Sequence, residues 1–340
     1  MEYLSVAEAA KAWGVSERTA RNYCATGKVP GAFLTGKTWN VPEAAPRPGR
    51  RGKGAGGICA GDGSAAGSPA SGVSSDLPKS LLEALRAEKA GDVRGGIYHK
   101  VQIELTYNSN HMEGSRLTHD QTRFIFETNT IAADEGLGAG SDADILNVDD
   151  IVETANHFRC VDMVIDAAHQ PLSEALVKRL HLTLKNGTSD SRKGWFAVGE
   201  YKRLPNEVGG RETVAPEQVG ARLRELIAAY ERGCERGNRQ PKNLSDLLEF
   251  HVAFECIHPF QDGNGRVGRL ILFKECLRND IVPFIIDDNL KLFYYRGLHE
   301  WRTARGYLTD TCLTAQDTFK RWLDYFRIPY RNDEEEDSVR

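Results

Sequence analysis

The run His258-Pro259-Phe260-Gln261-Asp262-Gly263-Asn264-Gly265-Arg266-Val267-Gly268-Arg269 gathers a histidine, a carboxylate, a glycine-flanked turn and two arginines. Histidine titrates near neutral pH and can act as a general base. Gly263, Asn264 and Gly265 lead straight into a helical pattern of Val267, Leu270, Ile271, Phe273 and Lys274. A turn of that kind aims unpaired amides and the positive end of the helix dipole at one spot, which is an anion site. Arg266 and Arg269, three apart on the first turn, can both reach the same anion. Asp262 can hold a divalent metal that bridges phosphates. A lone histidine at a helix end is ordinarily structural, and Gly-Asn-Gly alone is ordinarily a turn. Their joint occurrence points to chemistry on a polyphosphate.

Two helices must position this loop. The apolar spacing of Leu247, Phe250, Phe254 and Ile257 predicts a helix that stops near His258, because a residue before proline is pushed out of the α region. Phe260, the one large apolar side chain of the loop, plugs it into the core. Helical spacing recurs in Leu81–Leu85, Val101–Leu105, Ile151–Ala168, Leu172–Leu184, Val219–Tyr230, Val267–Leu277, Tyr295–Trp301 and Thr314–Phe326. Extended β-branched runs are scarce. The expectation for residues 77–330 is an all-α domain with one short β-hairpin near Trp195–Gly210.

Residues 1–43 read differently. Val6, Ala9, Ala10 and Trp13 have helical spacing, Gly14 breaks it, and Ser16 offers an N-cap for a second helix through Arg21 and Tyr23. Two extended pieces follow, Ala32–Leu34 and Thr38–Val41, punctuated by Val29-Pro30-Gly31 and Thr35-Gly36-Lys37. This order describes a winged helix-turn-helix, and its text resembles the MerR/excisionase-like group of such modules. That resemblance implies DNA binding. Ser16, Glu17, Arg18 and Arg21 would lie near the leading end of a helix in the major groove, and Lys37 on the wing near phosphate. A small helical module that contacts protein is the alternative. Residues 44–76 are rich in Pro, Gly, Ala and Ser and read as a flexible linker. Residues 331–340 form an acidic tail.

The chain as a whole sets further limits. A length of 340 residues suits two domains, and 40% hydrophobic with 27% charged residues suits globular ones. A net charge of −4 excludes a molecule that is a nucleic-acid binder by bulk electrostatics. The seven cysteines are scattered without a CxxC pair, which speaks against a disulfide scaffold or a zinc ribbon. No secretory profile opens the chain and no apolar run is long enough to span a membrane, so a cytoplasmic location is expected.

The loop from His258 to Arg269 matches the signature HPFx(D/E)GNGRxxR without a departure, and in this it resembles the Fic family. The resemblance implies an AMP-transferase that uses ATP and Mg²⁺. His258 would deprotonate a Ser, Thr or Tyr hydroxyl of a target protein, and Asp262 would hold the metal against the α- and β-phosphates. Gly263, Asn264 and Gly265 would cradle the phosphates. Arg266 would stabilise charge on the leaving pyrophosphate, and Arg269 would hold the γ-phosphate. Gly199-Glu200-Tyr201-Lys202-Arg203-Leu204-Pro205-Asn206-Glu207-Val208-Gly209-Gly210 looks like the family's flap, with Leu204, Pro205, Asn206, Glu207 and Val208 laying a target segment across the site by strand addition. Tyr294 and Tyr295 resemble the helix near the adenine pocket, with Tyr295 assigned to the nucleotide. Ser109-Asn110-His111-Met112-Glu113-Gly114 resembles the inhibitory pattern (S/T)xxxE(G/N) of self-inhibited members. There Ser109 would cap a one-turn helix and Glu113 would pair with Arg269, displacing the γ-phosphate.

Three alternatives accompany this reading. The same fold could transfer UMP or another group, or remove AMP, although the intact Gly263–Arg269 stretch favours a normally oriented ATP. The chain could be a DNA-binding regulator, homo-oligomeric on paired half-sites, whose second domain modifies itself. A histidine-metal hydrolase fits worst, because no second ligand histidine stands at helical spacing from His258, and His251 more plausibly packs inside the bundle.

Overall fold

The structure is a computed structural model, described for residues 3–15, 20, 23–24, 29, 32–35, 38–43, 45–47, 78–131, 146–232 and 242–331. The chain divides into two units, Met1–Val73 and Ser74–Arg340.

In the first unit, Ser5 and Glu8 form a reciprocal capping box that starts helix α1 (Val6–Trp13), and Gly14, at φ 63°, ends it. Val6, Ala9, Ala10 and Trp13 face a small core with Ala20, Cys24, Val29 and Val41. Strands β1 (Tyr3–Leu4), β2 (Phe33–Thr35) and β3 (Thr38–Pro42) form an antiparallel sheet in the order β1-β3-β2, with Tyr3 opposite Pro42 and Leu34 opposite Trp39. The expected β2–β3 hairpin is there. Strand β1 is an addition, because two residues are too few for an alternation to announce a strand. Ala20, Tyr23 and Cys24 are helical. Arg18, Arg21 and Lys37, and most of the expected linker and acidic tail, lie outside the described residues.

The second unit is helical, as expected. Its described helices are α2 (Leu81–Ala90), α3 (Ile97–Met112), α4 (His119–Thr128), α5 (Val148–Asp166), α6 (Glu174–Lys185), α7 (Pro216–Glu231), α8 (Leu244–Ile257), α9 (Asn264–Asn279), α10 (Lys291–Glu300) and α11 (Gly306–Phe326). Strands β4 (Glu207–Val208) and β5 (Arg211–Glu212) make a hairpin across Gly209 and Gly210, a few residues later than expected. Helix α9 is the axle: every residue from Arg266 to Asn279 is buried, so no amphipathic stripe exists to be read. Helices α3, α5, α6 and α8 pack around it. The shared core includes Val101, Leu105, Val161, Leu180, Phe254, Phe260, Val267 and Leu270.

Candidate active site

Helix α8 ends on His258, whose backbone is left-handed at φ 50° and ψ 65°. A non-glycine residue there carries roughly 1–2 kcal/mol of strain. The reversal lets Pro259 and Phe260 turn the chain into the core. Phe260 is fully buried and stacks on the His181 ring, with centroids 3.9 Å apart and planes 6° apart. Asn264 clasps the same residue from the far side of the turn: its Oδ1 accepts from the Phe260 N–H at 2.8 Å and its Nδ2 donates to the Phe260 carbonyl at 2.8 Å. Gly263, left-handed at φ 81°, then caps α9. The loop is thus held by side chains that could only be buried together if the turn has this shape.

His181 braces it further. The Gly199 N–H donates to Nδ1 at 2.9 Å, which leaves the proton on Nε2 to donate to the Asp262 carbonyl at 3.1 Å. Burial keeps this ring neutral, its pKa lowered to about 3.

The charged groups sort into two arms. Arg266, nearly buried, bonds Glu153 of α5 through Nη1, and its Nη2 meets Asp262 Oδ2 at 3.3 Å. Lys185, at the end of α6, meets Glu153 and donates to Asp262 Oδ2 at 2.7 Å. Against the opposing pull of burial, Arg266 and Lys185 hold Asp262 down at about 2, so it is a carboxylate at any physiological pH. The second arm is Arg269. Its Nε donates to Ser109 Oγ at 3.0 Å, and its Nη2 donates to the Ser109 carbonyl at 2.9 Å and to Glu113 Oε1 at 2.6 Å. A methyl group added to Gly265 would collide with Glu113 Oε1 and lie 2.9 Å from Arg269 Nη1. The Glu113 carboxylate therefore lies over the first turn of α9, where the amide nest would receive an anion. Although burial opposes it, Arg269 and then Arg266 lower the Glu113 pKa.

One expectation is corrected here. Ser109 does not cap a one-turn helix: it lies inside the sixteen-residue α3, and Glu113 is the C-terminal cap, followed by Gly114 at φ 95°. The buried polar residues Thr106, Asn108, Ser109 and Asn110 hide the helix from a hydrophobic pattern, because they bond to α5, α9 or the helix's own backbone instead of presenting an apolar face. The two arginines also differ from a single anion clamp, since each is turned to its own carboxylate. Tyr294 is core, its hydroxyl 2.5 Å from His251 Nε2. Tyr295 is 39% exposed and donates to the Met112 carbonyl at 3.3 Å, beside the end of α3.

The His258 ring is largely buried, and its Nδ1 stands 4.0 Å from Glu255 Oε2. Burial, and then the charge of Lys202, lowers its pKa to about 4, so the ring is a neutral proton acceptor at pH 7. Leu204, Glu207 and Val208 are exposed on or before β4, whereas Asn206 is tied inward, its Nδ2 donating to the Phe260 carbonyl at 3.1 Å. Asp262 suits magnesium in one form only. Its side chain is about half exposed and ionised, and no group of three metal-ligating side chains exists among the described residues. The remaining ligands would come from phosphates and water, which is how magnesium is ordinarily held.

Sequence reasoning missed Glu153, Lys185 and His181, which come from α5 and α6, and gave Lys202, inside the flap stretch, no role of its own; no local spacing marks them.

Residues 171–275 match the model of the Fic/DOC family. This stretch is similar to the Fic/DOC domain. Over 220 residues it is 28% identical to the protein adenylyltransferase Fic of Drosophila grimshawi, covering 63% of this chain and 39% of that protein. The Drosophila melanogaster protein of the same name is 27% identical over the same span. The chain thus spans about two fifths of the length of these curated relatives. Among solved structures, a Fic-domain-containing signaling protein from Bacteroides thetaiotaomicron is 25% identical, with a TM-score of 0.51 over 72% of this chain and 90% of that one. Fic-1 from C. elegans, 18% identical with a TM-score of 0.52 over 72% of this chain and 70% of that one, shares the fold. The matched segment runs from α6 into α9 and includes the whole His258–Arg269 loop. Ser109 and Glu113 lie outside it.

Proposed function

We propose that the chain is a protein adenylyltransferase that moves AMP from ATP to a Ser, Thr or Tyr hydroxyl and is restrained by Glu113. The observation that carries the reading is the largely buried, neutral His258 beside an amide nest, with two buried arginines and an ionised Asp262 on the same turn. His258 would take the hydroxyl proton as the oxygen attacks the α-phosphorus and the bond to pyrophosphate breaks. Arg266 and the amides of Gly263, Asn264 and Gly265 would stabilise the charge that passes to the leaving group. Magnesium, held by Asp262, would supply neutralisation of the phosphates. Tyr295 would border the nucleotide, and the β4–β5 edge from Leu204 to Val208 would receive the target segment.

Glu113 supports a self-inhibited state, because its carboxylate lies where the terminal phosphate of ATP would meet Arg269. With Gly114 and Ser109 it makes the restraint part of the same polypeptide. The test compares label transfer from ATP, UTP and CTP, with Mg²⁺, by wild type, Glu113→Gly, and Glu113→Gly with His258→Ala. Strong labelling from ATP by the single variant alone, the chain itself serving as first acceptor, is the expected outcome. A preference for UTP would replace AMP by UMP, and labelling that survives loss of His258 would remove the proposed base.

The first unit favours a second, compatible reading. A capped helix and a three-stranded sheet support a winged helix-turn-helix that tethers the enzyme to DNA through Arg18, Arg21 and Lys37. Salt-sensitive DNA binding by the full chain, weakened by Arg18→Ala with Arg21→Ala, is expected. Binding that ignores both substitutions would remove DNA as a partner of these residues.

A further inference from the structure

Lys202 is a charged side chain buried without a charge to meet. It is 3% exposed and makes no ion pair among the described residues. Its ammonium donates to Asn206 Oδ1 at 2.7 Å, Thr213 Oγ1 at 2.5 Å and the Ile257 carbonyl at 3.4 Å, so three protons meet three neutral oxygens. Burying an ammonium among neutral acceptors is costly, and burial lowers its pKa to about 8. An uncharged side chain would pack there at less cost.

Its partners lie on both sides of one seam. Asn206 and Thr213 flank the β4–β5 hairpin and close it, the Thr213 hydroxyl and N–H both donating to the Asn206 carbonyl. Ile257 is the last residue of α8, directly before His258. The Lys202 N–H also donates to the Pro259 carbonyl at 2.9 Å, and the seam continues from Leu204 N–H to Gln261 Oε1 at 3.2 Å.

We propose that Lys202 is a positioning residue for the reaction at His258, a buried ammonium that clamps the base of the β4–β5 hairpin to the His258–Gln261 turn. This rests on the proposed adenylyl transfer. The clamp sets where a protein segment laid on the hairpin presents its hydroxyl to the histidine. Its charge acts on the same ring. The groups that bear on His258 are Lys202 from the hairpin approach, Glu255 from α8, Glu113 from the end of α3 and Asp262 from the loop itself. Lys202 is the one cation among them, and it works with burial to keep the ring unprotonated.

The test places Lys202→Met and Lys202→Arg in the Glu113→Gly background of the full chain. Three readouts are the His258 ring titration by NMR, amide exchange of residues 206–213, and steady-state constants for ATP and for the protein acceptor. Lys202→Met is expected to move the His258 titration to higher pH and speed hairpin exchange. It should also raise the KM for the acceptor on the order of tenfold, the loss of hydrogen bonds to a charged donor, while the KM for ATP holds. Lys202→Arg should restore the titration. An unmoved titration with unmoved exchange, or equal rises in both KM values, overturns the proposal. Should Lys202→Met not fold, Thr213→Val removes one acceptor and keeps the charge: faster hairpin exchange with an unmoved His258 titration supports the clamp, and unchanged exchange overturns it. The NMR and exchange readouts need no turnover, so a chain inactive with every nucleotide would sink adenylyl transfer and leave the clamp to be judged by them.

Discussion

Replacing Glu113 by alanine removes one contact from a guanidinium that keeps others, and the size of the effect follows from that. The pair is 2.6 Å long, with side chains 27% and 7% exposed. Arg269 retains both bonds to Ser109, so it is not left as an unpaired buried charge. The loss then sits at the low end for a charge-assisted hydrogen bond, about 1.5 kcal/mol. A carboxylate at a helix C-terminus opposes the dipole, and its removal returns about 0.5 kcal/mol. The net, about 1 kcal/mol, lowers the Tm of a unit this size by about 2–4 °C. The nucleotide response has the opposite sign. Freed of the carboxylate, Arg269 and the turn over Gly265 can take a terminal phosphate, and ATP should bind at least about tenfold tighter, near 1.4 kcal/mol. AMP has no terminal phosphate to place there, and its affinity should not change. Calorimetric titration of wild type and variant with ATP and AMP, each with Mg²⁺, reads both. Equal tightening of the two nucleotides, or of neither, would refute the argument that the carboxylate holds the phosphate's place.

Three buried histidines and the largely buried His258 set an acid limit on stability. Burial lowers His157, His181 and His251 to about 3 and His258 to about 4, from a starting value of 6.5. A depressed value favours the fold above the unfolded pKa and loses that stability as pH falls, so urea unfolding at pH 5 should show a loss on the order of 1–2 kcal/mol per ring relative to pH 7. A chain equally stable at both values would contradict this. Glu255 has the opposite sign: burial raises it to about 8, so its contribution is complete below 4.5 and is lost as pH rises through 8. Glu255→Gln should therefore gain Tm on wild type steadily from pH 5 to 9, and a gap independent of pH would count against a buried acid there. Gly268→Ala drives a methyl group into Glu255 Oε1 and to 2.9 Å from His251 Cε1, which should cost about 1–3 kcal/mol by chemical denaturation. An unchanged midpoint would show that α8 and α9 can separate freely.

What the sequence makes legible is whatever is written locally. The end of α8 at a residue before proline, the glycine turn into α9 and the plug of Phe260 all depend on neighbours in the chain. So do the capping box of Ser5 and Glu8 and the stop at Gly14. Helix α3 is legible only in part, because Gln102, Thr106, Asn108, Ser109 and Asn110 are buried polar residues whose partners lie on α5 and α9 or in the helix's own backbone. Helix α4 is not legible: ten residues from His119 to Thr128, with Gln121, Thr122 and Ile125 as its buried face, show too little apolar periodicity. Glu153 and Lys185 enter the site from helices more than seventy residues upstream of Asp262, and their types are common on any helix surface. Their importance exists only after the bundle is assembled.

Glu113 sits at the end of a helix that supplies Val101 and Leu105 to the main core and donates no backbone to a detachable arm. An inhibitor carried on a tail can be peeled away by a competing partner. The restraint proposed for Glu113 would instead be lifted by rotating a single side chain, or by fraying the last turn of α3 around Met112 while the rest of the helix stays packed. A molecule that relieved it would therefore not need to open the fold. It would need only to offer the Glu113 carboxylate a better cation than Arg269, or hold the Met112–Gly114 turn a few ångströms aside, and the throw of such a switch would be shorter than the nucleotide it admitted.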